Sequence, residues 1–359
     1  MRRVLFILKY RETDYTDITP QKSWAHSRFL SSGLYNSARF VSNMINSDIT
    51  GVESKLVHVT DNNDIDREVA KYKPTHVIIE AYWVVPEKFD VLIRLHPHVK
   101  WIIRNHSNVP FLSNEGIAFG WTIDYLKYPN VYVSSNHPKA VEDLRSLLRH
   151  VYPNMSPKEL KHRTPYLPNY YPLVPAYAPH KTPNETLDIG CFGAIRPLKN
   201  QTMQALAAIK FALKEDKHLR FHINGNRLEG NGEPILKNIR EIFKRTDFEL
   251  VEHPWLEHEN FIKLVCQMDL GLQVSFSETF NIVAADFAVN NIPIVTSSEI
   301  DWSAKHFQAD PTDLSSIVRA MNAACCLKKF DPWLNPNIGG LKKYDAMSIE
   351  EWKKVLLHT

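Results

Sequence analysis

The sequence contains few cysteines, little net charge and no long apolar run. Its four cysteines among 359 residues show neither zinc-binding spacing nor a disulfide pattern, which favours buried thiols in a reducing compartment. The formal net charge of +3 excludes a histone-like polycation. No stretch approaches the roughly 18–20 apolar residues that a membrane-spanning helix needs, and the apolar run at residues 4–8 is too short for a signal peptide. We therefore expect a soluble, cytoplasmic protein.

Several common catalytic motifs are missing as well. The sequence has no phosphate-loop lysine motif, no dinucleotide-binding glycine fingerprint and no Ser-His-Asp arrangement. Asp64-Ile65-Asp66 has the Asp-x-Asp pattern of some metal sites. It lies in a polar run that opens a predicted helix, where a solvated helix cap explains it. We therefore predict no metal site.

Length and composition favour two folded domains. A chain of 359 residues with 44% hydrophobic and 23% charged residues is too long for one compact core and is not disordered. Residues 165–183 contain six prolines, which predicts a stiff, irregular connector. We predict an N-terminal domain over residues 1–173 and a C-terminal domain over residues 174–335. A tail over residues 336–359 carries a predicted helix that begins at Ser348 and can pack back on the first domain.

Both predicted domains alternate short apolar runs with helical patterns. Near-continuous apolar runs predict parallel strands that are covered by helices on both faces. The predicted fold class is therefore α/β, with two doubly wound, Rossmann-like domains facing each other across a cleft and ligands bound beyond the carboxyl ends of the strands. The predicted strands cover residues 4–8, 54–59, 76–80, 101–105, 131–134, 188–192, 219–223, 249–251, 270–274 and 293–296.

The most informative stretch covers residues 274–286. A predicted strand ends at Val274, a polar loop carries Glu278, and a helix begins near Asn281. Backbone N–H groups at the start of a helix form an anion site. Asp286 lies about one and a half turns into this helix, so the two carboxylates could surround one ligand whose phosphates rest on the helix start. A helix cap plus one solvated acid is the alternative that the spacing leaves open.

This stretch resembles the donor-binding signature of the retaining GT-B glycosyltransferases of the family 4 type. That signature is an acid, a Gly-Phe-Gly-like turn and a second acid eight positions after the first. Here Glu278 matches the first acid, Phe280 the aromatic residue of the turn and Asp286 the second acid. The resemblance implies that Glu278 contacts the donor sugar and Asp286 the ribose hydroxyls. Thr279 and Asn281 replace the glycines of the turn, and we assign them to donor binding with Phe280.

A second motif opens the C-terminal half and resembles the Gly-Arg turn and diphosphate-binding lysine of the same family. Gly193 matches the glycine and Lys199 the lysine, while Ala194 stands where the family has arginine. We infer that Arg196 substitutes for that arginine. Two cations beside a diphosphate stabilise the charge on the leaving nucleotide, so the expected requirement is a nucleotide-sugar co-substrate, UDP-linked, with no metal or other cofactor. A surface Arg and Lys at a helix start is disfavoured, because cations there oppose the helix dipole.

The N-terminal half carries weaker signals. His106 follows a predicted strand at whose end the retaining family often has a histidine near the reacting carbon, so we group it with Glu278, Arg196 and Lys199 as catalytic. An ordinary hydrogen-bonded loop histidine is the alternative. Gly33 lies where the family has a glycine-rich loop near the donor phosphates. Four acceptor-side residues are predicted by location alone: Arg28, Glu80, Trp83 and Asn136.

The acceptor is the least determined part of the prediction. Basic and aromatic side chains interleave in residues 145–171, a pattern that can bind nucleic acid and that a solvated helix face also explains. The order of apolar, acidic and aromatic residues over 77–83 is similar to that of tailed-phage glycosyltransferases. The resemblance implies transfer to a hydroxymethylated pyrimidine in phage DNA, in the host cytoplasm. The alternatives are a cell-envelope glycan or small-molecule acceptor, a GT-B-fold sugar-nucleotide epimerase, and a non-catalytic binding module. Oligomeric state is left open.

Overall fold

The side chains of the first strand point alternately to the two faces of its sheet, and both faces are apolar. In the computed structural model, which describes residues 1–9, 33–175, 185–331 and 334–357, the first strand is β1 (Arg2–Lys9). Val4, Phe6 and Leu8 pack in one apolar cluster with helix α1 (Gly33–Asp48), whereas Leu5 and Ile7 pack in another. Because successive side chains of a strand point to opposite faces, β1 is buried on both sides, as expected inside a parallel sheet.

The chain forms two compact units. Unit 1 comprises Met1–Tyr171 and Asp345–Thr359, and unit 2 comprises Pro172–Tyr344. Besides β1 and α1, unit 1 contains β2 (Val52–Val59), α2 (Asp64–Tyr72), β3 (His76–Glu80), α3 (Phe89–Leu95), β4 (Lys100–Asn105), α4 (Val109–Leu112), α5 (Ala118–Tyr125), β5 (Val131–Ser135), α6 (Pro138–Val151) and α7 (Pro157–Arg163). Its strands are all parallel, in the order β2-β1-β3-β4-β5.

Unit 2 contains a second parallel sheet. Its elements are β6 (Thr186–Gly190), α8 (Gln201–Glu215), β7 (His218–Ile223), α9 (Gly232–Phe243), β8 (Glu249–Glu252), α10 (His258–Val265), β9 (Leu270–Gln273), α11 (Ile282–Val289), β10 (Ile294–Ser297), β11 (Gln308–Ala309) and α12 (Leu314–Phe330). The strand order is β11-β10-β9-β6-β7-β8. The order therefore reverses between β6 and β9, the position where open sheets of this kind bind ligands.

The last helix, α13 (Pro336–Leu357), is longer than predicted. It begins at Pro336, and Ser348 lies within it instead of capping its start. The Ser348 hydroxyl donates a hydrogen bond to the Asn169 carbonyl (2.7 Å), and the indole of the buried Trp352 donates to the Pro168 carbonyl (2.9 Å). The C-terminal part of α13 thus packs on unit 1.

The predicted α/β class with two parallel sheets is confirmed. One strand is placed too late in the prediction, because β6 ends at Gly190 although the apolar pattern continues to Phe192. Cys191 and Phe192 are buried, yet they lie in the loop beyond the strand. No helix within the described ranges is both long enough and apolar enough to cross a membrane.

Candidate active site

Lys199 and Glu278 meet at the reversal point of the unit 2 sheet. Lys199 ends a 3₁₀ turn (Pro197–Lys199) that follows β6, and Glu278 lies in the loop that follows β9. Because β6 and β9 are neighbours, the two loops lie side by side, and the Lys199 ammonium forms an ion pair with the Glu278 carboxylate. Their side chains are 12% and 8% exposed. The two motifs found in the sequence therefore converge on one pair of charges.

Two further contacts join these loops. The Phe276 N–H donates to the Leu198 carbonyl (2.9 Å), and the Asn200 amide donates to the Val274 carbonyl (3.1 Å). Asn200 has a φ of +58°, a conformation that asparagine tolerates better than most residues. The positions of Lys199 and Glu278 are consequently fixed by backbone hydrogen bonds as well as by their own attraction.

The turn after β6 requires glycine at position 193. Gly193 has a φ of +112°, which L-residues with a Cβ rarely adopt. Its N–H donates to the Asn224 side-chain oxygen (2.8 Å), and the Asn224 amide reaches the Pro254 carbonyl (3.4 Å). Asn224 therefore links the loops after β6, β7 and β8.

Arg196 is held by a different carboxylate. Its guanidinium contacts Glu229 (3.1 Å), which also pairs with Arg227 (2.8 Å). Arg227 in turn lies 4.1 Å from the centre of the Trp255 ring, within cation–π range. Glu229 therefore competes with a diphosphate for the Arg196 guanidinium.

The turn before α11 is packed into unit 2. Phe280 is buried against Trp302 and Tyr344, and its carbonyl accepts from the Trp302 indole (2.7 Å). Asn281 caps α11 by accepting from the Ala284 N–H (2.9 Å). The side chains of Phe280 and Asn281 therefore support the fold, and their donor contacts stay a prediction. Thr279 is buried too.

Asp286, the second acid of the signature, is paired with a histidine. Its carboxylate lies 2.7 Å from Nε2 of His258, the first residue of α10, and the side chains are 1% and 18% exposed. Asp286 is therefore a buried acid whose visible partner is an imidazole. His258 was not singled out from the sequence.

A chain of polar contacts fixes the end of β8. Asp188 in β6 accepts two hydrogen bonds from Arg220 (2.6 and 2.8 Å) and lies 2.9 Å from His222 Nε2. The other ring nitrogen of His222 lies 2.8 Å from His253 Nε2. Burial, with a contribution from His222, lowers the pKa of His253 to about 4, so His253 is neutral at physiological pH.

In unit 1, Glu80 and His106 form another acid–histidine pair. Glu80 ends β3 and His106 follows the adjacent β4, and the imidazole hydrogen-bonds the fully buried Glu80 carboxylate. Arg104 donates to the same carboxylate (3.1 Å). Burial lowers the pKa of His106 and outweighs the opposing effect of Glu80. Burial alone would raise the pKa of Glu80, but Arg104 and His106 together lower it.

Comparison with solved structures shows the same architecture in three sugar-transferring proteins. Alpha,alpha-trehalose-phosphate synthase (UDP-forming) from Burkholderia vietnamiensis is 9% identical and has a TM-score of 0.64, with 100% of this chain and 98% of that chain covered. Sucrose-phosphate synthase from Thermosynechococcus elongatus is 13% identical, with a TM-score of 0.63 and coverages of 100% and 97%. A TarM mutant from S. aureus, in complex with fondaparinux, alpha-GlcNAc-glycerol and UDP, is 14% identical, with a TM-score of 0.54 and coverages of 78% and 55%.

The chain has the GT-B fold. No family model and no curated protein matches the sequence. The chain spans 55% of the length of TarM but nearly all of the two synthases. Identities of 9–14% establish a shared fold and no more.

Within this GT-B chain, the predicted acceptor residues are less accessible than expected. Glu80 and Asn136 are both buried, and the Asn136 amide donates to Asn169 (3.3 Å). The Glu80 carboxylate is paired with Arg104 and His106, and its contact with an acceptor stays a prediction. Trp83 is half-buried against the core of unit 1, Gly33 is exposed at the start of α1, and Arg28 lies outside the described residues.

The basic and aromatic segment is also more structural than predicted. Arg163 is buried and donates to the backbone carbonyls of Leu126, Tyr128 and Val131 (2.6–3.2 Å). Tyr171 is buried as well. Both are thereby removed from the predicted nucleic-acid face. The basic side chains that stay exposed are Arg149, His150, Lys158, Lys161 and His162.

Proposed function

We propose that the protein is a glycosyltransferase that moves a sugar from a nucleoside diphosphate to a hydroxyl acceptor, with retention at the anomeric carbon. The observation that carries this proposal is the Lys199–Glu278 ion pair at the reversal point of the unit 2 sheet. A cation and an acid held together there provide one partner for a diphosphate and one for sugar hydroxyls.

The chemistry that we assign to this pair is electrostatic. In the transfer, the bond between the anomeric carbon and the diphosphate oxygen breaks and a bond to the acceptor oxygen forms. Negative charge grows on the departing diphosphate, and one of its oxygens takes up the proton that the acceptor hydroxyl loses. The Lys199 ammonium stabilises that charge, an effect worth several kcal/mol in a water-poor site. Donor binding separates the pair beforehand: Lys199 turns to the diphosphate, and Glu278 accepts hydrogen bonds from the sugar.

We propose UDP as the nucleotide and no metal requirement. TarM was crystallised with UDP, and the Burkholderia synthase is UDP-forming. The positive charge would come from Lys199 and from Arg196 after it exchanges Glu229 for phosphate. Among the residues that the structure describes, no three His, Cys, Asp or Glu side chains are grouped so that they could hold a metal ion.

In unit 1 we assign His106 to the reacting sugar, as a group that orients donor or acceptor. Its imidazole is 15% exposed, and the buried Glu80 fixes its orientation through a hydrogen bond. A carboxylate behind a histidine sets which ring nitrogen carries the proton. Glu80 is then a positioning residue for His106.

For the acceptor, the first candidate is a hydroxymethylated pyrimidine in DNA. Its support is the set of exposed lysine and arginine side chains on and around α6 and α7, namely Arg149, Lys158 and Lys161. Basic side chains of this kind bind nucleic-acid phosphates. A glycan or a small molecule with a free hydroxyl is the alternative, and both are tested in the same assay.

The test is thermal shift with UDP, GDP and ADP, followed by mass spectrometry of candidate acceptors incubated with UDP-sugars. We expect selective stabilisation by UDP and a hexose or pentose mass gain on one acceptor. Lys199→Ala should abolish both responses. Lys329→Ala, which removes the lysine of an exposed ion pair with Glu215 on α8, is the matched control.

Other outcomes separate the alternatives. Conversion of the UDP-sugar to an isomer without an acceptor would indicate an epimerase. UDP binding without any turnover would indicate a binding module. No stabilisation by any of the three nucleotides would refute the donor site.

A further inference from the structure

The pair formed by Asp286 and His258 has an asymmetry that bears on nucleotide recognition. The two residues lie on different helices, Asp286 in α11 and His258 at the start of α10. The carboxylate side chain is 1% exposed, whereas the imidazole is 18% exposed. A ligand that approaches from solvent therefore meets the imidazole before it meets the acid.

The packing of α11 explains why this acid is withdrawn. Phe287, the next residue, lies directly over two glycines of the sheet: a Cβ at Gly271 would come within 2.6 Å of its ring, and one at Gly190 within 3.0 Å. α11 thus rests on the strands β6 and β9 at close range. Aspartate is also one methylene shorter than glutamate. A short acid on a closely packed helix has little reach toward a ligand.

We propose that His258 is the residue that contacts the ribose of the donor nucleotide and that Asp286 is its positioning residue. The inference rests on the proposed function, because it requires a nucleoside diphosphate donor. Nε2 of His258 is directed at Asp286 Oδ1 (2.7 Å). The other polar atom of the ring, Nδ1, is then the one that forms a hydrogen bond with a ribose hydroxyl, which can donate or accept.

The position of His258 in the fold agrees with this role. It follows the loop after β8, which Asn224 joins to the Gly193 turn through the Pro254 carbonyl. The Gly193 turn leads to Lys199, the proposed diphosphate partner. The loops after β6 and β8 are therefore tied to one another at the carboxyl edge of the unit 2 sheet, where a nucleotide would extend from its phosphates toward its base.

A purely structural role makes a different prediction. If the pair only joins α10 to α11, its removal lowers stability and leaves the selectivity for ribose unchanged. A contact to ribose instead affects the ratio of two dissociation constants, that of 2′,3′-dideoxy-UDP divided by that of UDP. Changes in folding stability cancel in this ratio.

The experiment is isothermal titration calorimetry of the full chain with these two nucleotides. We expect the native protein to prefer UDP about tenfold, the value of one or two hydrogen bonds. In His258→Ala the preference should fall below about threefold. Asp286→Asn keeps an oxygen that can accept from Nε2 and should retain most of the preference. His218→Ala, at the exposed first residue of β7, is the control and should retain all of it.

The outcomes are distinguishable. A full preference in His258→Ala would overturn the ribose contact and leave the proposed function intact. Loss of the preference in Asp286→Asn with its retention in His258→Ala would assign the contact to the acid instead, and would also overturn the proposal. A native protein that binds no nucleotide would overturn the proposed function, and the ribose contact with it.

Discussion

The Lys199–Glu278 ion pair makes Glu278→Gln an informative substitution, because the same carboxylate has opposite effects on the two halves of the donor. Before a diphosphate can use Lys199, the ammonium must leave Glu278. The carboxylate also repels the incoming phosphates. Replacing it with a neutral amide should therefore tighten the binding of UDP, which carries no sugar, while it weakens the hold on the sugar of a complete donor.

The size of the effect follows from the burial of the pair. Exposed ion pairs contribute about 0.2–1 kcal/mol, and removing one partner of a fully buried pair costs about 3–5 kcal/mol. Lys199 and Glu278 are 12% and 8% exposed, so about 1 kcal/mol is a conservative value for the competition. This corresponds to UDP binding about fivefold tighter. Loss of charge-assisted bonds to the sugar, at about 1.5–3 kcal/mol, should slow transfer about 10- to 100-fold.

Calorimetry with UDP and initial rates with the UDP-sugar measure the two effects separately. Glu215→Gln, which neutralises the acid of the exposed pair with Lys329 (3.1 Å), should change neither. Lys199→Ala should weaken UDP binding, opposite in sign to Glu278→Gln. If Glu278→Gln instead weakened UDP binding as much as Lys199→Ala does, the carboxylate would be no competitor of the diphosphate, and the assignment of the pair would be refuted.

Two further predictions concern stability. Asn281→Ala removes the cap of α11, whose oxygen accepts from the Ala284 N–H, and should cost about 1–2 kcal/mol of unfolding free energy in urea denaturation; an unchanged midpoint would contradict the capping role. Burial raises the pKa of Asp345 to about 7 despite its bond from the Tyr171 N–H. The folded state therefore binds a proton that the unfolded state, with a pKa near 4, has lost, and stability should fall as pH rises from about 4 to about 7 and stay constant above. Asp345→Asn should remove this decline and stabilise the protein at pH 8, by an amount of order 4 kcal/mol; parallel stability–pH curves for the two proteins would contradict it.

The strands of both sheets could be predicted from the sequence because they are buried on two faces. β1 and β3 are continuous apolar runs with polar residues only at their ends, and such runs have one simple interpretation. β11 has only two residues, Gln308 and Ala309, and pairs with β10 at the edge of the sheet. Such a short edge strand carries no periodicity, so no local pattern predicts it.

Residues of the candidate site could be predicted from the sequence where they belong to a local motif. They could not be predicted where their role depends on a partner far away along the chain. Lys199 and Glu278 each belong to a local motif next to a strand end. Asn224, Glu229 and His258 contact partners on other segments of the chain, 28 or more residues away, and no local spacing in the sequence indicates such pairs. The sequence offers one criterion for such residues, which is a polar side chain directly after a predicted strand or at the start of a helix. His258, at the start of α10, meets this criterion.

The helix α13 has a practical consequence for dissecting the protein. A single cut cannot separate the units, because residues 345–357 complete unit 1 although they follow unit 2 in the chain. An expression fragment that stops at Tyr171 would lack Trp352 and leave the Pro168 carbonyl without its indole partner. The Tyr171 N–H and the Asp345 carboxylate are 3.1 Å apart. A fragment in which a short glycine linker joins residue 171 to residue 345, in place of the segment between them, therefore keeps unit 1 whole.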